Sequence, residues 1–136
     1  MGRKNSDREL PELSRLEQEI MNVVWDLGEC SSMDVIAAYT RARPLAKTTI
    51  RTVLANLRKK GYVKLVPSID RGYRLRAAVP RATVAGRSMK TLVRTMFRGS
   101  PQHAIACLIR EEAIDESDLE EIRRMLEARR KRKEKP

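Results

Sequence analysis

The stretch Lys47-Thr48-Thr49-Ile50-Arg51-Thr52-Val53-Leu54-Ala55-Asn56-Leu57-Arg58-Lys59-Lys60-Gly61 has two faces of opposite character. Ile50, Val53, Leu54 and Leu57 recur at helical spacing, which predicts a helix from about Ala46 to Lys60, closed by Gly61. The other face shows Lys47, Thr48, Thr49, Arg51, Thr52, Asn56, Arg58 and Lys59, and no carboxylate. Three threonines within five positions cost helix propensity, because each is stiff at its branched β-carbon. A merely solvated helix face favours Ala, Glu or Lys at such positions. Threonine hydroxyls and methyls, with an arginine among them, suit the edges of bases in a DNA major groove.

Working outward, Tyr62–Val66 and Tyr73–Arg76 alternate with a two-residue period and read as strands joined by the turn Pro67–Gly72. Upstream, Ser14 and Glu17 form a capping-box pattern before Leu16, Ile20, Val23, Val24 and Leu27, and Gly28 stops that helix. Trp25 is expected at the helix edge, with a partner for its indole N–H. A second, short helix is capped by Ser31 or Ser32, carries Val35, Ile36 and Tyr39, and ends near Thr40 before the Arg41–Pro44 loop. Helix, short helix, basic helix and hairpin, in that order, define a winged helix-turn-helix. The expected fold is mainly α with a small β-hairpin wing, followed by a C-terminal helical arm.

That arm reads as three helices. Pro80 opens a segment to about Phe97, Gly99-Ser100-Pro101 resets the chain with Ser100 as cap, and Asp115 or Ser117 starts a last helix. Leu92, Met96, Phe97, Ile105, Leu108, Ile109, Leu119, Ile122 and Met125 form its apolar face. The expected organisation is a flexible N-terminus (1–12), a winged-helix domain (13–79), a helical dimerisation region (80–128) and a basic disordered tail (129–136).

Charge follows the same division. Residues 35–76 hold 11 basic side chains and one acidic, Asp70, whereas residues 81–128 carry 8 of each. A one-sign field over forty residues is the footprint of a polyanion partner, since a solvated surface mixes both signs. Thr48, Thr49, Arg51, Thr52 and Asn56 are the base-reading candidates. Lys47, Lys59, Lys60, Arg71 and Arg74 are the phosphate candidates, which position a protein without reading sequence. The Arg/Lys-rich tail adds non-specific phosphate attraction or solubility.

Other classes find less in the sequence. No apolar run approaches the roughly 18 residues of a membrane span, and the N-terminus lacks the apolar stretch of an export signal. Cys30 and Cys107 read as reduced, packed thiols of a cytoplasmic protein. The lone His103 reads as a surface or interface residue, so no metal, cofactor or enzymatic activity is expected. An RNA- or ribosome-associated winged helix is the alternative function. RNA readers usually present aromatic stacking platforms, however, and only Tyr62 and Tyr73 lie in the basic helix and hairpin from Lys47 to Arg76. A basic face docking an acidic protein is a third class.

Three stretches carry a family resemblance. They are Leu16-Glu17-Gln18-Glu19-Ile20-Met21-Asn22-Val23-Val24-Trp25, Thr49-Ile50-Arg51-Thr52-Val53-Leu54 with Leu57 and Lys60-Gly61-Tyr62-Val63, and the segment from Gly99-Ser100-Pro101 to Asp118-Leu119-Glu120-Glu121-Ile122-Arg123. Together they resemble the penicillinase-repressor family of winged-helix regulators, which includes beta-lactamase, methicillin-resistance and copper-responsive repressors. The similarity runs from about Leu13 to Ala128. It implies a sequence-specific transcriptional repressor that binds inverted-repeat double-stranded DNA operators as a homodimer through the C-terminal arm. It further implies a membrane-bound sensor protease as a partner, cutting an Asn-Phe bond in the penultimate helix of some relatives. Cys107-Leu108 stands at that place here, and the cysteine-rich tail of copper-responsive relatives is replaced by arginine and lysine.

Overall fold

The structure, a computed structural model, describes residues 10–69 and 72–134. Its elements run α1 (Arg15–Leu27), α2 (Ser32–Ala42), α3 (Lys47–Lys60), β1 (Val63–Ser68), β2 (Gly72–Ala77), α4 (Arg81–Met96), α5 (Pro101–Arg110) and α6 (Glu116–Glu134). The fold class is the one read from the sequence, a winged helix-turn-helix followed by further helices. The chain forms two compact units, the first ending at Arg87 and the second starting at Ser88.

In the first unit, α1, α2 and α3 turn their apolar stripes onto a core of Ile20, Met21, Val24, Val35, Ile36, Ile50, Val53, Leu54 and Leu57. The Ser14–Glu17 capping box starts α1, with the Glu17 amide on Ser14 Oγ at 3.2 Å and the Ser14 amide on Glu17 Oε1 at 2.8 Å. Ser31 and Asp34 repeat the arrangement on α2. That helix runs two residues beyond the expected Thr40, because Pro44 forces only its immediate predecessor out of the helical region, and Arg43 serves there as an extended C-cap. Gly61 takes a φ of 93° at the end of α3, and an added Cβ there would stand 3.3 Å from Leu10.

Tyr62, expected to open the first strand, instead finishes the helix cap by donating its amide to the Leu57 carbonyl at 2.9 Å. The strands pair antiparallel in the register Val63↔Ala77 to Ser68↔Gly72, longer than expected at the turn end. Pro67 fits because β1 is an edge strand. Cys30 adds a bridge to Leu75 on the other side of β2, with amide-to-carbonyl distances of 3.0 and 2.6 Å. Its thiol is buried, and burial followed by the nearby Asp34 charge pushes it above the usual thiol range, so it stays protonated. Trp25 finds the expected partner, donating Nε1–H to the Val79 carbonyl at 2.8 Å.

Two expectations need correction. Residues 10–12 are fastened rather than flexible: Tyr62 Oη donates to the Pro11 carbonyl at 2.6 Å, Lys60 Nζ to the Glu12 carbonyl at 2.9 Å, and Leu10 packs on the core. Residues 1–9 lie outside the described residues. Nor does α6 dissolve after Ala128; it continues to Glu134. Arg, Lys and Glu are good helix formers, the cations of its last turn complement the helix dipole, and Arg130 reaches Glu134 at 3.9 Å.

In the second unit α5 has Ser100 as cap and Pro101 as first residue, as expected. No residue of α5 or α6 is buried.

One ion pair ties the two ends of the three-helix unit together. Lys60 Nζ lies 2.6 Å from Glu17 Oε1, and Glu17 is only 7% exposed. Burial alone would raise the Glu17 pKa, but the Lys60 hydrogen bond, the Ser14 amide and the Lys60 charge together hold it below its ordinary value. A lowered folded-state value contributes stability above the unfolded pKa, lost as pH falls through the folded value. Lys60→Met, which keeps the aliphatic stem, should therefore cost about 1–3 kcal/mol at pH 7 in urea unfolding. Glu17→Gln keeps the capping bond, should cost less at pH 7, and should flatten the loss of stability below the ordinary glutamate value near 4.5. An unchanged acid limb in Glu17→Gln would show that the pair carries no such linkage.

Candidate nucleic-acid interface

α3 buries Ile50, Val53, Leu54 and Leu57 and leaves the rest of its surface outward. At about 100° per residue, Thr48, Thr52, Ala55 and Lys59 form the line opposite the buried stripe. Arg51 flanks that line on one side and Asn56 on the other. Thr48, Arg51, Thr52 and Asn56 are all exposed, whereas Thr49 is half-buried at the edge. Of the five base-reading candidates, four therefore share one open face and the fifth borders it.

Chemistry narrows what each can read. Thr52 Oγ1 donates to the Thr48 carbonyl at 2.9 Å, the usual i−4 bond of a helical threonine. With its proton so used, the hydroxyl accepts from outside, which fits an adenine or cytosine amino group, and its methyl fits a thymine methyl. Among the described residues Arg51 Nη2 meets the Met33 sulfur of α2 at 3.3 Å, a weak acceptor that a guanine edge or phosphate easily replaces.

The start of α3 is open as well. Its N-cap is Ala46, with no side-chain hydrogen bond and no acidic residue in the first turn, although α1 and α2 each have a full capping box. The first-turn amides, at the positive end of the helix dipole, are left for an anion to satisfy.

The phosphate candidates separate. Lys47 and Lys59 are exposed, with no ion-pair partner among the described residues. Lys60 sits at the helix edge and is spent on Glu17 and the Glu12 carbonyl. Arg74 lies 3.7 Å from both Glu29 Oε2 and Asp34 Oδ2, and donates to the Glu29 carbonyl at 3.3 Å. Arg71 lies outside the described residues.

Two further cations were not singled out by sequence reading. Lys64 and Arg76 are direct cross-strand partners, both exposed, on the outer face of the hairpin. Like charges placed opposite each other are unfavourable without an anion between them. Pairing the strands back from the turn would have revealed them, but the register needed the true strand ends.

In the second unit Leu92, Met96, Ile105, Leu108, Ile109, Leu119 and Met125 are exposed, and Phe97 and Ile122 half-buried. Cys107 and Leu108 lie inside α5, with Cys107 half-buried and its thiol free. His103 is exposed on the same helix.

A helix-turn-helix with an outward basic helix and a hairpin places the protein among winged-helix regulators. Residues 13–128 match the penicillinase repressor family model. The transcriptional regulator BlaI of Mycobacterium tuberculosis (strain CDC 1551 / Oshkosh) is 32% identical over 111 residues, covering 80% of each chain. The methicillin resistance regulatory protein MecI of Staphylococcus aureus is 22% identical over 120 residues, covering 88% of this chain and 97% of MecI. Among solved structures, the monomeric form of Bacillus licheniformis BlaI in complex with the blaP half-operator aligns with a TM-score of 0.49 and 24% identity, over 55% of this chain and 90% of that one. The chain belongs to the penicillinase repressor family.

The division of the cations predicts different salt behaviour. Lys47→Ala and Lys59→Ala should each make the fall of log affinity for duplex DNA with log salt shallower by about 0.9, on any sequence. Lys60→Met should leave that slope unchanged. An equal change in all three would mean that the Lys60–Glu17 pair opens to hold a phosphate.

Proposed function

We propose that the chain is a DNA-binding transcriptional repressor that grips inverted-repeat operators as a homodimer. The observation that carries this reading is the outward face of α3, where Thr48, Arg51, Thr52 and Asn56 stand exposed with no carboxylate in the helix. A helix so placed enters a major groove with its early residues on base edges, while Lys47, Lys59 and the open helix start meet phosphates. Names among the relatives, penicillinase repressor and transcriptional regulator, support the same role.

Dimerisation is supported by the second unit. Its helices α5 and α6 bury no residue, yet Ile105, Leu108, Ile109, Leu119 and Met125 all stand exposed. A piece this small without a core of its own needs a cover to stay folded, and a second copy of the same apolar face supplies one. Residues 80–128 then serve as the dimerisation region and residues 13–79 as the DNA-binding domain.

Of the two tyrosines, Tyr62 is buried with its hydroxyl on the Pro11 carbonyl, and Tyr73, exposed on the hairpin, is a single ring where an RNA reader stacks successive bases on several. A repressor of this kind acts where the DNA is, in the cytoplasm; no helix among the described residues is long and apolar enough to cross a membrane. A membrane sensor protease acting at Cys107-Leu108 would have to unwind α5 first, because the bond lies within that helix.

Selection of bound sequences from a random duplex DNA library at near-physiological salt tests the function. The expected product is an inverted repeat with half-sites about one helical turn, ~34 Å, or a multiple apart. On that duplex Arg51→Ala and Thr52→Ala should each reduce discrimination against random DNA by roughly 1–3 kcal/mol. No enrichment, with binding that vanishes steeply as salt rises, would replace this reading with a non-specific polyanion binder.

A further inference from the structure

The guanidinium of Arg51 rests on an acceptor that is both weak and open to chemical change. Its Nη2 lies 3.3 Å from the sulfur of Met33, in the first turn of α2. Both helices belong to the first unit, so the contact is internal to it. A thioether accepts hydrogen bonds poorly, so the guanidinium gives up little when it turns to a guanine edge. Met33 is 48% exposed, whereas Met21, the other methionine described in this unit, is fully buried. A methionine so placed is open to a peroxide, which converts it to the sulfoxide. The sulfur lone pair attacks one oxygen of hydrogen peroxide, an S–O bond forms and the O–O bond breaks. After a proton transfer the second oxygen leaves as water. The sulfur loses two electrons and the peroxide gains them.

We propose that Met33 is a reversible oxidation site through which a peroxide turns down base reading by Arg51. The inference rests on the base-reading role given to Arg51 above. A sulfoxide oxygen is a strong acceptor, and a guanidinium donating to it makes a charge-assisted hydrogen bond. Oxidation therefore exchanges a partner that Arg51 leaves easily for one that competes with a guanine edge. The core side of α3, with Ile50, Val53, Leu54 and Leu57, is untouched by a change at the surface of α2. Lys47 and Lys59 also keep their exposed positions. The oxidised protein thus still meets phosphates but reads sequence less well. Cys30 competes poorly for the peroxide, because its thiol is buried and stays protonated. Reductases that draw two electrons from thiols return methionine sulfoxide to the thioether, so the change is reversible.

The test uses the full chain with two duplexes: a single half-site from the duplex enriched in the random library, and a random duplex of equal length. A half-site takes one recognition helix, so pairing of two copies does not enter the comparison. Hydrogen peroxide is added until peptide mass mapping shows Met33 carrying one extra oxygen. Discrimination between the duplexes should then fall about tenfold, while affinity for the random duplex holds. Methionine sulfoxide reductases of both epimer specificities, with dithiothreitol, should restore it, and dithiothreitol alone should not. Met33→Leu, which has no oxidisable sulfur, should discriminate equally before and after peroxide. Met33→Gln, which brings an amide oxygen to the same place, should discriminate less than the untreated chain without any peroxide. Unchanged discrimination with Met33 converted overturns the proposal, as does a Met33→Leu protein that still responds. Recovery with dithiothreitol alone assigns the response to a cysteine and overturns it too. So does a Met33 that stays unoxidised while the exposed Met89, Met96 and Met125 are converted. If the library yields no enriched site, or Arg51→Ala leaves discrimination by the untreated chain intact, the base-reading role fails first and this inference falls with it.

Discussion

Everything in the first unit answers to one constraint: a helix with five cations in fourteen residues has to be fastened from behind without bringing a carboxylate to its front. Ile50, Val53, Leu54 and Leu57 do the fastening, each burial contributing about 1.5–3 kcal/mol before the entropy of ordering is set against it. Repulsion among the cations is relieved at the edges. Arg58, Lys59 and Lys60 lie in the last turn, where the helix dipole favours positive charge. Lys60 is drawn around the edge to Glu17, so its charge is neutralised without an acid appearing beside Thr48 or Arg51.

The same sorting extends over the rest of the unit. Glu19 faces Arg15 and Arg43, Asp26 faces Arg81, and Glu29 and Asp34 face Arg74. Individually these exposed bridges are worth little. Taken together they cancel the negative field of α1 and of the turn into α2, so the potential over α3 is left unopposed. Two carboxylates do double duty, since Glu17 and Asp34 cap their own helices and hold a cation from a distant element. The capping pattern and the charge pattern of the sequence are thus partly one pattern.

This explains which features the sequence disclosed. The order of elements, the core stripe of α3 and the caps at Ser14 and Ser100, with that of α2 narrowed to Ser31 or Ser32, are local, set by spacing within one turn or one helix, and spacing is visible in a linear chain. Lys60 and Arg74 looked like any other cations on a basic stretch, because their partners, Glu17 and Glu29, stand 43 and 45 residues away. The Cys30–Leu75 bridge was equally hidden, since a single residue pair leaves no two-residue alternation to detect. Lys64 and Arg76 became a pair only once the register was known. Residues 10–12 carry no periodic signal, and what ties them down is a tyrosine hydroxyl and a lysine from the far side of α3.

The two units also differ in how they are stabilised, and that difference bears on regulation. The first has its own core, with Ile20, Met21, Val24, Val35, Ile50 and Leu57 fully buried. The second keeps its apolar side chains at the surface of the isolated chain, so in the proposed dimer its folding free energy is inseparable from association and depends on protomer concentration. If the arm pairs two copies, the regulator is titrated through it. Recognition chemistry on α3 can stay intact while occupancy of a two-half-site operator rises and falls with the fraction of paired arms, because the second half-site contact is gained only within a dimer. In such a dimer a signal that weakens the arm by even ~1.4 kcal/mol would shift pairing tenfold, and it need never touch the proposed base-reading face of α3.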